Sequence, residues 1–221
     1  MFVGHFALAF AAKRLAPTAS LGTLFLACQF ADLLWPNLVL AGVELFEIAP
    51  GDTVVTPLRF VHYPWSHSLV ALAAWGALFA LLHRVLRRDS APGTALVVGA
   101  LVLSHWLLDA ATHRADMPLD LRGEALVGLG LWNSLAATLV VEGLLLALGV
   151  ALYVRATEAV DRIGRYALRA LVAFLCVVYL MNLFGPPPPG VAAVAWTAQS
   201  MWLLVAWGWW VDRHRRARKP A

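Results

Sequence analysis

Long apolar runs dominate the chain. They cover roughly residues 19–42, 65–86, 92–112, 134–154, 166–184 and 191–211, and a shorter apolar piece occupies about 2–12. A helix needs about 20 apolar residues to cross the hydrocarbon core of a bilayer. The pattern therefore predicts an all-α, polytopic transmembrane helical bundle of about six spans, preceded by a short N-terminal half-helix or re-entrant segment. Pro36 is expected to end or kink the first span, because proline removes a helical N–H and crowds the preceding turn. The Pro186–Pro189 run reads as a stiff connection between the last two spans. Pro64 favours a turn, so a helix is expected to start near His67 with Ser66 or Ser68 at its cap. Neither a soluble domain nor an internal repeat is evident. Residues 1–155 read as a helical core that carries the polar positions. Residues 156–221 read as two further spans and a basic tail within the same integral domain.

Composition agrees with this pattern. The chain has 221 residues, of which 61% are hydrophobic and only 14% charged, whereas a soluble domain usually carries about 25% charged residues. The net charge of +4 comes mostly from arginines at span ends. It reads as a topology signal, and no nucleic acid partner is expected. Fourteen Lys and Arg fall in one set of connections and three, Arg59, Arg114 and Arg122, in the other. The positive-inside rule then places both termini in the cytoplasm, with loops 43–64 and 113–133 outside. The Arg213–Lys219 tail reads as a stop-transfer signal that attracts anionic lipid. Trp202, Trp207, Trp209 and Trp210 read as lipid-facing, and Trp35, Trp65, Trp106 and Trp132 as an interfacial belt or headgroup contacts. Cys28 and Cys176 lie in apolar segments and read as thiols rather than a disulfide.

Against this apolar background six residues stand out: His5, Asp32, His67, His105, Asp109 and Glu142. A carboxylate at bilayer depth costs about 2.5–3.5 kcal/mol on insertion scales. No Lys or Arg lies within one helical turn of these carboxylates in sequence, the nearest being Arg114, five residues beyond Asp109. Something cationic must offset the cost, and neutral His with ionised Asp or Glu is a ligand set for a divalent metal. At about 1.5 Å per residue, Asp32, His67, His105, Asp109 and Glu142 reach one layer in the outer half of the bilayer. His5 joins them if the N-terminal piece tucks back, which leaves Lys13 and Arg14 at the cytoplasmic surface. His105 and Asp109 lie at i and i+4 and so share a helix face; His113 extends that stripe. His62 lies in the second cluster, His62-Tyr63-Pro64-Trp65-Ser66-His67-Ser68. The plainer alternatives are a His–Asp hydrogen bond that stabilises packing, and a Glu142 paired with Asn133 or a serine.

Gly4-His5, Asp32-Leu33-Leu34-Trp35-Pro36, Trp65-Ser66-His67-Ser68 and Ser104-His105-Trp106-Leu107-Leu108-Asp109 together resemble the membrane-bound metal-dependent hydrolases of the YdjM type. These are also described as LexA-binding inner-membrane-associated hydrolases. The resemblance covers about the first 155 residues, including Gly130-Leu131-Trp132-Asn133-Ser134 and Glu142, and the last two spans carry no matching motif. That family is similar in turn to zinc-dependent phospholipase C. The resemblance implies that Asp32, His67, His105 and Asp109 surround one zinc and that His5 and Asp109 reach a second. It makes Glu142 a third-site ligand, with His113. The soluble phospholipases use a free N-terminal amino group as a ligand, and Met1 gives no sign of that role. One or two ions, zinc or manganese, are expected.

The expected function is a membrane-embedded hydrolase of a phosphoester, such as a phospholipid or lipid-linked phosphate, in a prokaryotic inner membrane. Asp109 bridges ions, and Glu142 serves as base or ligand. The alternatives are a proton- or cation-coupled transporter and a non-catalytic membrane regulator with a structural metal.

Overall fold

The structure is a computed structural model that describes residues 1–218; Lys219, the last basic position of the tail, lies outside them. Ten helices form a bundle: α1 Val3–Ala12, α2 Leu21–Cys28, α3 Phe30–Leu40, α4 Pro64–His67, α5 Leu69–Leu86, α6 Pro92–Thr112, α7 Leu135–Ala156, α8 Arg162–Phe184, α9 Val191–Ala198 and α10 Met201–Arg213. Five helical runs are long and apolar enough to cross a membrane: α5, residues 93–112 of α6, α7, α8, and α9 with α10. The pair α2 and α3 makes a sixth, bent by 53°. α1 has 10 residues and is buried along most of its length. At about 15 Å it is too short to span, and it packs inside the bundle.

The bend in the first span falls at Gln29, not at Pro36. Pro36 lies inside α3, which continues to Leu40. A proline removes one hydrogen bond, and this helix tolerates the loss. At Gln29 the backbone itself departs from helical angles. There the Cys28 carbonyl, which an unbroken helix would direct to the amide four residues on, accepts from the His105 imidazole at 2.7 Å. In the second span a break at Ser68 separates α4 from α5, and the Ser68 hydroxyl caps α5 by accepting from the Ala71 amide at 3.1 Å.

Small residues allow the helices to approach closely, as is usual where lipid supplies no hydrophobic drive between them. α1 runs parallel to α7, with Gly149 against the backbone of Ala7. α5 and α6 meet at Gly76 and Gly99, each facing the other's carbonyl. Between these contacts Phe25 packs edge-on against Phe6 and Phe10, with centroids 4.9 Å and 5.1 Å apart. This layer of rings is fully buried.

Several surface expectations change. Trp35 and Trp106 are buried, so they are not belt residues; the Trp106 indole donates to the Pro118 carbonyl. Trp202, Trp209 and Trp210 are exposed, but Trp207 packs on Phe174 and lines an internal cavity. The loops form three short antiparallel ribbons: β1 Leu45–Ile48 with β2 Leu58–His62, β3 Met117–Pro118 with β4 Leu126–Val127, and β5 Thr157–Ala159 with β6 Arg215–Ala217. The basic tail is therefore paired back on the chain. Arg216 bridges Glu158 at 2.6 Å, and the Arg215 guanidinium lies over the Tyr153 ring. Both cysteines are free thiols.

Lys13 is buried, whereas Arg14 is exposed. The Lys13 ammonium lies 2.5 Å from Asp212 Oδ2 and donates to the Ala19 carbonyl at 2.7 Å. Asp212 also accepts from the Tyr153 hydroxyl and the Leu21 amide. Breaking a buried pair by removing one partner typically costs about 3–5 kcal/mol. The two remaining donors on Asp212 put Lys13→Met near the lower end, about 3 kcal/mol. Thermal unfolding in detergent should show a lower midpoint for K13M, and K13M/D212N should recover a large part of the loss.

Candidate metal centre

Asp109 is the hub of a polar cluster near the end of α6. It lies in the last turn of that helix and is buried among four groups. Its Oδ1 is 3.1 Å from His5 Nε2 and 2.5 Å from the Met1 amino group. Its Oδ2 is 3.0 Å from His105 Nε2 and 3.9 Å from His67 Nε2. Asp32 Oδ1 approaches from α3, 3.4 Å from His67 Nε2 and 3.7 Å from His105 Nε2. The His5 and His105 rings stack in parallel, 3.7 Å apart. Two triads result, His5–His105–Asp109 and Asp32–His67–His105, and in each the ligand atoms lie within 4.8 Å of one another.

Neighbouring groups fix two of the imidazole tautomers. The carbonyl of Cys28 can only accept, so His105 Nδ1 carries a proton and donates it there. In the neutral ring His105 Nε2 is then a lone pair. Although it is buried close to Asp109 Oδ2, it makes no hydrogen bond. His67 is set through a relay. The Ser66 hydroxyl donates its one hydrogen to Glu44 Oε2 at 2.5 Å, so it accepts from His67 Nδ1 at 2.7 Å. His67 Nε2 is therefore a second lone pair, aimed toward Asp32. With both rings neutral, two imidazole lone pairs and two carboxylates converge with no hydrogen between them. That donor set fits a divalent cation, and outer partners that fix ligating histidines are a usual feature of such sites.

The chain matches no family model, no curated protein and no solved structure. The site stands on its own geometry.

Of the sequence candidates, the fold brings His5, Asp32, His67, His105 and Asp109 together. Glu142 belongs to neither triad. It faces the start of α1, where its Oε2 accepts from the Phe2 amide at 2.9 Å and the Gly4 amide at 3.1 Å. It thus caps α1 rather than pairing with Asn133. His113 is buried outside the triads, 3.0 Å from Asp116 Oδ1 and with its ring tilted against Trp132 at 4.3 Å between centroids. Burial holds its pKa below the ordinary histidine value. His62 sits half-buried on β2, opposite Leu45 and away from both triads. The Met1 amino group, for which the sequence gives no sign of involvement, lies against Asp109 and 3.3 Å from Thr112 Oγ1.

Sequence reasoning missed Glu44, which it placed in a solvent loop. Glu44 is fully buried and binds both the Ser66 amide and hydroxyl. The only sequence signal was Ser66 beside His67. Asp32 has the most accessible side chain of the group, 25% exposed against 3% for Asp109. It opens with His67, Asp109, His113 and Glu142 into a cavity of about 710 Å³.

Losing an outer partner of a metal ligand usually costs about 10- to 100-fold in affinity. Glu44→Gln should weaken zinc binding by that factor in a competition titration, whereas Asp109→Asn should abolish it.

Proposed function

We propose that the protein is a membrane-embedded, metal-dependent hydrolase that acts on a phosphoester. One observation carries the reading: with both rings neutral, two imidazole lone pairs and two buried carboxylates converge with no hydrogen between them, beside a cavity. Asp32, His67, His105 and Asp109 would hold one ion, and His5 with Asp109 a second. The nitrogen and carboxylate donors suit zinc, with manganese as the second choice. The same residues carry the resemblance to the YdjM-type hydrolases, and by that resemblance the membrane is a prokaryotic inner membrane.

A divalent ion at this site would supply Lewis acidity, lowering the pKa of water toward neutrality and polarising a phosphoryl oxygen. The protein's own groups do the rest. Asp109, gripped from both sides, keeps His5 and His105 in register. Asp32 faces the cavity and meets the incoming group. Glu142 Oε2 is held by two amides, so Oε1 is the oxygen that takes a proton from an attacking water. The Phe6, Phe10 and Phe25 layer excludes water from below. That layer also argues against a transport path, which needs polar groups through the full depth.

Purified wild-type protein should carry at least one equivalent of zinc or manganese, and His105→Ala and Asp109→Ala should lose it together with phosphodiester hydrolysis. Metal-free wild type under metal-replete conditions would sink the hydrolase reading. Bound metal without turnover on any phosphoester would favour a regulator with a structural metal.

The charge split supports an orientation with both termini in the cytoplasm and the site in the outer half of the membrane. A C-terminal reporter that works only in the cytoplasm should be active, and a reporter active only outside would reverse the orientation.

A further inference from the structure

We propose that the cavity beside the metal cluster binds one hydrocarbon chain of the substrate, and that α8, α9 and α10 form the wall that receives it. The inference rests on the hydrolase reading and adds the apolar half of the substrate.

The cavity lining is of two kinds. Asp32, His67, Asp109 and Glu142 bring the charged groups of the cluster; α8, α9 and α10 bring Phe174, Val178, Val194, Leu204 and Trp207, with the uncharged Tyr179, Asn182 and Thr197 among them. No charged residue of α8, α9 or α10 faces it. At about 710 Å³ it lies in the size range of ligand pockets, about 300–1,000 Å³. A small water-soluble phosphoester would use only the charged groups. A partner helix would have to bury its own end against the carboxylates. A phosphate-bearing lipid matches both kinds of lining, with its phosphate at the histidines and its chain along the apolar wall. This also gives a role to α8–α10, which carry none of the motif residues.

Lipid tails are about as apolar as leucine, so a chain that moves from bilayer to cavity gains little hydrophobic free energy. The cavity then selects by shape and fixes where the phosphate sits relative to Asp109. The chain can be acyl or polyprenyl; both present the same chemistry to this wall.

The test uses the full chain in nanodiscs with two photoreactive probes, a phosphatidylcholine with a mid-chain diazirine and a polyprenyl phosphate with a diazirine near its middle. Labelled residues are mapped by mass spectrometry, and metal content is measured on the same samples. Label should concentrate on the cavity face around Val178 and Val194. It should fall several-fold in both Val178→Trp and Ala193→Trp, which fill the cavity from α8 and from α9. Val177→Trp, on the exposed face of α8, should leave it unchanged. Label from only one probe identifies the chain as acyl or polyprenyl. Label spread evenly over exposed positions, or a cavity label that survives both filling variants, overturns the proposal. With metal still bound, that outcome removes the chain site and leaves the hydrolase reading standing. Cavity label on a protein without metal does the reverse.

Discussion

A carboxylate buried among apolar helices must be compensated, and Asp109 is where this bundle meets that constraint. Its charge explains features that otherwise look unrelated. α1 is too short to span, yet it is held inside the bundle with His5 and the Met1 amino group against Asp109. α2 and α3 are two helices because the Cys28 carbonyl serves His105, whose other nitrogen faces Asp109. α4 is a single turn that sets His67 beside Asp32 before Ser68 starts α5. Glu142 contributes indirectly. By capping α1 it fixes the helix that carries His5, so a second buried charge is compensated by backbone amides while it positions the first.

The bundle has two polar ends and an apolar middle. At one end lie the histidines and carboxylates; at the other, Lys13, Asp212 and Tyr153 form a closed network with the Leu21 amide. Phe6, Phe10 and Phe25 stack edge-on between them. The far network is fully donor–acceptor matched, as a structural anchor should be. The near cluster is not matched, since lone pairs face carboxylates. That difference, rather than burial or charge alone, separates a site from a staple.

The spans were legible because hydropathy reads the solvent directly: the run at 92–112 is α6, Pro92–Thr112. The histidine and aspartate layer was legible because charge at bilayer depth is costly and therefore rare, so each such position informs. What stayed hidden depends on contacts between distant segments. Glu44 lies 22 residues from Ser66, and a glutamate in a polar loop looks solvated until the fold buries it. The break at Gln29 has no local cause, because its cause is the imidazole of His105. Glu142 was recognisable as anomalous but not as a cap, since its partners are amides 138 and 140 residues away. The tail ribbon was unreadable for a similar reason: Arg215–Ala217 finds its partner strand across α8, α9 and α10.

The polarity of the cavity couples the two halves of the proposed chemistry. An anionic phosphate that enters must approach Asp32, the most accessible carboxylate, and then Asp109. Without a cation between them the approach is repulsive, and in a low-dielectric site that repulsion is far stronger than in water. On the proposed chemistry, binding of cation and phosphoester would therefore be cooperative and, by linkage, reciprocal: each would raise the affinity of the other. The apolar wall does not share in this coupling, because it holds a chain whether or not the carboxylates are neutralised. On that proposal a lipid would lodge in a metal-free protein with its headgroup turned away from the site, and arrival of the cation would draw the phosphate in.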